Sequence, residues 1–192
     1  EPPLVDFTFE YDTCVAGPNF MVLSFTGEQC DVTPYTNDYQ PITNVQVVNA
    51  VTAFTDESTG VTSILHFNQV LWYGNRMKMS LINPNQLRHF GIAVSDDPTD
   101  NTRPFGISGD DLFIPFLMDG TTVYFETRVP TEWELENCKH VEMTDDSLWN
   151  PSQVTISNVT STQDLPLVEI LTRRNISSLH VMNKALPDET YS

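Results

Sequence analysis

Asp12 and Thr13 are the residues of this chain best placed for chemistry. Ahead of them Val5, Phe7 and Phe9 alternate with Leu4, Asp6, Thr8 and Glu10, and behind them come Cys14, Val15, Ala16 and Gly17. The period of two predicts a strand that ends in a turn bearing a carboxylate. When small residues follow such a turn, a second carboxylate can approach, share a proton with the first and hold a water between them. That arrangement hydrolyses peptide bonds. Thr13 supplies the small hydroxyl, but Cys14 stands where a glycine would let two such turns come close.

Other chemistries find less support. His66, His89, His140 and His180 are far apart and show neither HxxxH nor HxxE spacing, so they predict ordinary histidines and no metal centre. The run Asp96-Asp97-Pro98-Thr99-Asp100-Asn101 offers hard oxygen ligands, yet lacks the glycine and terminal glutamate of a calcium loop. Glycine is only 8 of 192 residues, with no Gly-rich phosphate loop and no GxSxG elbow. No cofactor is expected. Cys14, Cys30 and Cys138 form no CxxC pair, which leaves open one disulfide with a free thiol or three thiols. Asn158-Val-Thr and Asn175-Ile-Ser are glycosylation sequons.

The elements that must position these residues read mostly as β. Strands are expected over Phe20–Phe25, ended by Thr26-Gly27-Glu28, and over 45–73 as a hairpin turning at Asp56–Gly60. A second hairpin, Leu112–Met118 with Thr121–Thr127, turns at Asp119-Gly120, with Pro115 marking an edge or bulge. Asn83-Pro84 predicts the start of a short helix that Gly91 stops. Thr131 and Glu134 have capping-box spacing and predict a second helix to about His140, with Trp133 inward and Glu132, Glu134 and Glu136 in water. Asp96–Gly109 reads as a long surface loop. From Pro151 to Ser192 the chain turns rich in Ser, Thr and Asn, which suggests an appendage with strands near Val154–Val159 and Leu165–Leu171 and then a weak helix or tail.

Composition limits the partners. The formal charge is −17, from 9 bases and 26 acids, and no base precedes Arg76. Such a surface repels phosphate backbones and anionic headgroups, so neither nucleic acid nor membrane is an expected partner. The apolar fraction of 40% is enough for a core.

Several segments together resemble one protein type: Asp12–Asn19, Thr26–Tyr35, Leu71–Met77, Ser80–Arg88, Arg103–Ile107 and Val123–Thr131. They are similar to the protease region of copia-type retrotransposon polyproteins of diatoms and other microbial eukaryotes. The likeness spans about Asp12 to Trp149. It implies a mainly β, retropepsin-like closed β-barrel with one or two short helices, followed by a C-terminal β/coil appendage. It also implies a homodimer in which each subunit lends one catalytic Asp. Members of that family usually read Asp-Ser-His-Ala ahead of the Asp-Thr-Cys, and the first Asp is the catalytic one. Here those four positions are Thr8-Phe9-Glu10-Tyr11, so Thr8 replaces the acid. A threonine cannot share a proton or polarise water as a carboxylate does. In the other register Asp12 itself is catalytic, with Thr13 beside it.

The expected organisation is an N-terminal strand over 1–11, extended or donated to a neighbour, a barrel over 12–150 and the appendage over 151–192. The favoured reading is an impaired protease-like domain that serves as a self-assembling structural protein, its subunits linked by the N-terminal strand. The alternatives are an active homodimeric aspartic endopeptidase with a peptide substrate, and a ligand- or glycan-binding β-barrel using Trp72, Tyr73, Trp133 and Trp149. Used sequons at Asn158 and Asn175 would place the protein outside the cell, and polyprotein processing would place it inside.

Overall fold

The computed structural model describes residues 13–33, 36–154 and 181–185. The expectations for the N-terminal strand, Thr8, Asp12, both sequon asparagines and the strand near Leu165–Leu171 lie outside those residues. The described chain is mainly β. Its elements run β1 (Val15–Ala16), β2 (Met21–Val32), β3 (Ile42–Thr55), β4 (Thr62–Trp72), β5 (Ser80–Ile82), α1 (Pro84–His89), β6 (Ala93–Ser95), β7 (Gly106–Ser108), β8 (Phe113–Pro115), β9 (Leu117–Asp119), β10 (Thr122–Thr127), α2 (Glu132–Asn137), β11 (Lys139–Glu142) and β12 (Val181–Ala185).

Nine strands form one sheet in the order β2-β3-β4-β1-β5-β12-β10-β9, with β11 pairing beside β4. A small antiparallel sheet holds β6, β7 and β8. The expected closed barrel is not found among the described residues: β2 and β9 end the strand path. One antiparallel bridge, Ala53 to Arg128, brings the chain beyond β10 back to β3, through N–H···O bonds of 2.8 and 3.0 Å. Towards Val51 the ladder cannot continue, because Pro130, two residues on, has no N–H to donate.

The hairpin of β3 and β4 is the spine. Asp56 accepts bonds from Ser58 and Thr59, and the amide of Gly60 donates to the Asp56 carbonyl, which closes the turn. Over Ala50–Phe54 and Ser63–Val70 both strands bury both faces. Val48, Ala50, Phe54, Leu65 and Phe67 enter the main core with Phe20, Ile82, Leu87, Ile107, Ile114 and Phe125, whereas Val51, Ala53 and Ile64 form a second cluster with Met21, Leu135 and Cys138. Each of the larger side chains contributes about 2–3 kcal/mol on burial.

Both helices begin as expected. The Asn83 side chain accepts from the amides of Asn85 and Gln86, and Pro84 occupies the first turn. Thr131 and Glu134 form a reciprocal capping box. The faces of α2 differ from expectation. Trp133 is 66% exposed, while Glu134 is buried and ion-paired to Arg128. A six-residue helix presents one narrow inner stripe, and Leu135 takes the apolar place on it.

Other boundaries also moved. β2 runs through Thr26-Gly27-Glu28 instead of stopping there, because a bulge between Phe25 and Gln29 absorbs the misfit and Gly27 takes a positive φ of 89°. The second hairpin pairs only 117–119 with 122–124, since buried Phe116 breaks its first arm and β8 turns to β7 instead. The segment expected as a surface loop carries β7, and its first residue, Asp96, is fully buried against Arg88 at 2.9 Å. Pro151–Gln153 forms a short 3-10 turn, and beyond Val154 the strand expected near Val154–Val159 lies outside the described residues. β12 joins the main sheet between β5 and β10.

Candidate functional site

The turn that follows Asp12 leads straight into the middle of the large sheet. β1 is parallel to β4, with Val15 opposite Leu71, and antiparallel to β5, with Val15 opposite Leu81. Two short strand residues are enough to hold it because both sides are paired. The amide of Leu71 donates to the Cys14 carbonyl at 2.9 Å, and that of Tyr73 to the Ala16 carbonyl at 3.0 Å.

Buried amides and hydroxyls clasp the turn. The Cys14 N–H donates to Gln86 Oε1 at 2.7 Å, and Gln86 Nε2 donates to the Gln69 carbonyl at 3.2 Å. Gln86 is fully buried, so one side chain from α1 satisfies β1 and β4 together. The Gly17 N–H donates to Ser80 Oγ at 2.8 Å. Ser80 in turn donates to Asn19 Oδ1, and Asn19 Nδ2 donates to Thr127 Oγ1 at 2.6 Å. A Cβ at Gly17 would lie 3.0 Å from Ser80 Oγ and 3.1 Å from the Met79 backbone, so a larger residue would crowd this contact.

Thr13 is half-buried, and its hydroxyl accepts a 3.0 Å bond from the Trp149 indole N–H. Trp149 packs beside His89 and Phe90 at ring distances of 5.2 and 6.0 Å, so the turn is braced against the end of α1. The Cys14 sulfur receives the Asn83 N–H at 3.2 Å. Burial pushes the Cys14 thiol up to about 12, against small downward pulls from hydrogen bonds. It therefore stays protonated at neutral pH and is no nucleophile.

The described side chains of this site are thus Thr13, Cys14, Asn19, Ser80, Asn83, Gln86 and Trp149, all neutral. Among the described residues, no carboxylate takes part in the clasp. Asp12, the acid next to Thr13 in sequence, lies outside the described residues. Among the described residues, no three His, Cys, Asp or Glu side chains converge on one point. A separate cleft of about 880 Å³ lies between the Asp56–Thr59 turn and Phe113–Leu117, shares none of these residues, and carries Asp56, Glu57, Asp111 and Glu126 on its walls.

Sequence reasoning singled out Thr13 and missed Gln86, Ser80, Asn19 and the partnership with Trp149. Their only local signals were the quoted segments Asp12–Asn19, which holds Asn19, and Ser80–Arg88, which holds Ser80 and Gln86. The contacts themselves span 61 to 136 residues and leave no periodic trace. The cysteines are all thiols. No family model matches the chain, and neither a curated protein nor a solved structure is similar to it.

Proposed function

We propose that this chain is a retropepsin-like domain whose peptidase chemistry is impaired and that it serves as a self-assembling structural protein, with subunits joined through the N-terminal strand. The reading rests on the quoted likeness and on the sequence of elements around the turn. Thr13 and Cys14 lead into a short central strand, a strand Ser80–Ile82 lies against it, and a capped helix follows at once. One observation carries the impaired part. The turn is held by a neutral, mutually satisfied network in which the Thr13 hydroxyl is already engaged by Trp149 of the same chain. The residue at the family's catalytic position is Thr8.

The assembling part draws on the outer strand β2, where Leu23 is 48% and Phe25 61% exposed, and on the two-stranded end that Gln29–Val32 makes with Ile42–Gln46, where Ile42 is 40% exposed. Two-stranded ribbons are marginal alone, and exposed apolar groups on one favour a partner. The outer side of β2 is a sheet edge to which an extended segment such as 4–11 can add.

The test uses the full chain at pH 4–6 with a peptide library, with and without pepstatin, beside an Asp12→Ala variant and light scattering. The expected result is no pepstatin-sensitive cleavage, no change in Asp12→Ala, and particles larger than a dimer that vanish when residues 1–11 are deleted. Pepstatin-sensitive cleavage lost in Asp12→Ala would make the protein an active homodimeric endopeptidase instead. A monomer at all concentrations would remove the structural role.

A further inference from the structure

We propose that His66 and His140 form a two-imidazole site for a divalent transition-metal ion of the zinc or copper class. The two residues lie 74 positions apart, and the parallel pairing of β4 with β11 brings them together. His66 Nε2 and His140 Nδ1 are 2.6 Å apart, and the rings are 4.9 Å apart at a tilt of 43°.

The tautomers follow from a third contact. His140 Nε2 lies 2.8 Å from the Leu135 carbonyl oxygen. A carbonyl only accepts, so Nε2 carries the proton and Nδ1 presents a lone pair. A metal-bound imidazole almost always has this outer hydrogen bond, which fixes its ring and raises its basicity. In the metal-free pair, His66 Nε2–H must therefore donate to His140 Nδ1. When an ion enters, the His66 proton moves to its own Nδ1, and both facing nitrogens become ligands with no net proton released.

The geometry needs little change. Two metal–nitrogen bonds of about 2.0–2.1 Å on a tetrahedral ion place the nitrogens roughly 3.3 Å apart. The nitrogens must part by less than about 1 Å, and His140, exposed on the outer strand β11, can move while His66 stays half-buried on β4. Water completes the coordination. The net charge of −17 raises the local cation concentration. Imidazole pairs suit zinc, copper and nickel rather than calcium or magnesium.

A bound ion would tie β11, and α2 before it, to β4. The experiment titrates Zn2+ into the full chain at pH 7.5 by calorimetry, alongside His66→Gln, His140→Gln and His89→Gln. One site is expected in the parent and in His89→Gln, weakened at least about tenfold in the other two, since loss of an outer partner alone commonly has that effect. Equal Zn2+ affinity in His66→Gln or His140→Gln overturns the site, and so does no uptake by the parent. Because a variant could unfold, Cu2+ bound to the parent is also read by electron paramagnetic resonance. Hyperfine coupling to two imidazole nitrogens supports the site, and an all-oxygen spectrum from the acidic surface overturns it.

Discussion

Gln86 Oε1 accepts the amide proton of Cys14 at 2.7 Å although 72 residues separate the two. The same side chain gives a proton to the Gln69 carbonyl. One buried amide therefore locks the candidate turn to the central strand and to α1, and the first expectation follows from removing it. Gln86→Leu keeps the volume but leaves a buried N–H and a buried C=O without their bonds. Each such loss costs about 1–3 kcal/mol. Urea unfolding should show a loss of about 2–4 kcal/mol, and an unchanged midpoint would mean that water replaces the amide.

Glu134 makes the fold acid-sensitive. The Arg128 guanidinium, followed by bonds from Thr131, holds the Glu134 carboxyl down at about 2, well below its usual value of 4.5. A depressed folded value means stability that is complete above about 4.5 and is lost as pH falls towards 2. Glu134→Gln keeps an acceptor for the Thr131 N–H but not the charge. The variant should be about 2 kcal/mol less stable than the parent at pH 7. That gap should shrink as thermal melts are taken from pH 5 down to pH 2. A gap constant with pH would show that the ion pair adds nothing.

The three thiols should differ in reactivity. Cys14 is buried with a value near 12, while Cys30 and Cys138 are partly exposed. Burial, and then the neighbouring Asp31, also push Cys30 up. Ellman's reagent at pH 8 should modify two thiols in the native protein, Cys30 the slower for its raised value. A third should react only in denaturant. Rapid labelling of Cys14 in the folded state would contradict its place in the core.

Two glycines in one segment should respond in opposite ways. At Gly106 a Cβ would lie 2.3 Å from the Ile114 carbonyl oxygen, a backbone atom that cannot rotate away. At Gly109 the nearest atom would be 3.8 Å off. Gly106→Ala should lower stability by about 3 kcal/mol or more by parting β7 from β8. Gly109→Ala should stay within about 0.5 kcal/mol. Equal melting temperatures for the two variants would refute the close approach at Gly106.

Much of the local structure was legible in the residues. Asn83-Pro84 and the Thr131–Glu134 spacing located both helix starts, because a cap is an interaction over two or three positions. Asp56–Gly60 located the main hairpin for the same reason. Trp133 was misplaced because its hydrophobicity promised burial, whereas the short helix had room inside only for Leu135 and for the Glu134 that Arg128 neutralises. Asp96 looked solvated among its acidic neighbours until Arg88, eight residues earlier, drew it inside. The Thr13–Trp149 bond and the contact between His66 and His140 had no sequence signal at all.

The residue order alone specified a β-rich chain, its two helix caps, its main turn and an acidic surface, since all of these depend on neighbours within a few positions or on simple counting. Which side chains meet was left to the tertiary structure. Strand pairing and register bring Gln86 to Cys14, Ser80 to Gly17 and His140 to His66, and a shift of one residue would send each of them to the opposite face. That the described strand path ends at β2 and β9, with one bridge from Ala53 to Arg128, was likewise decided in space.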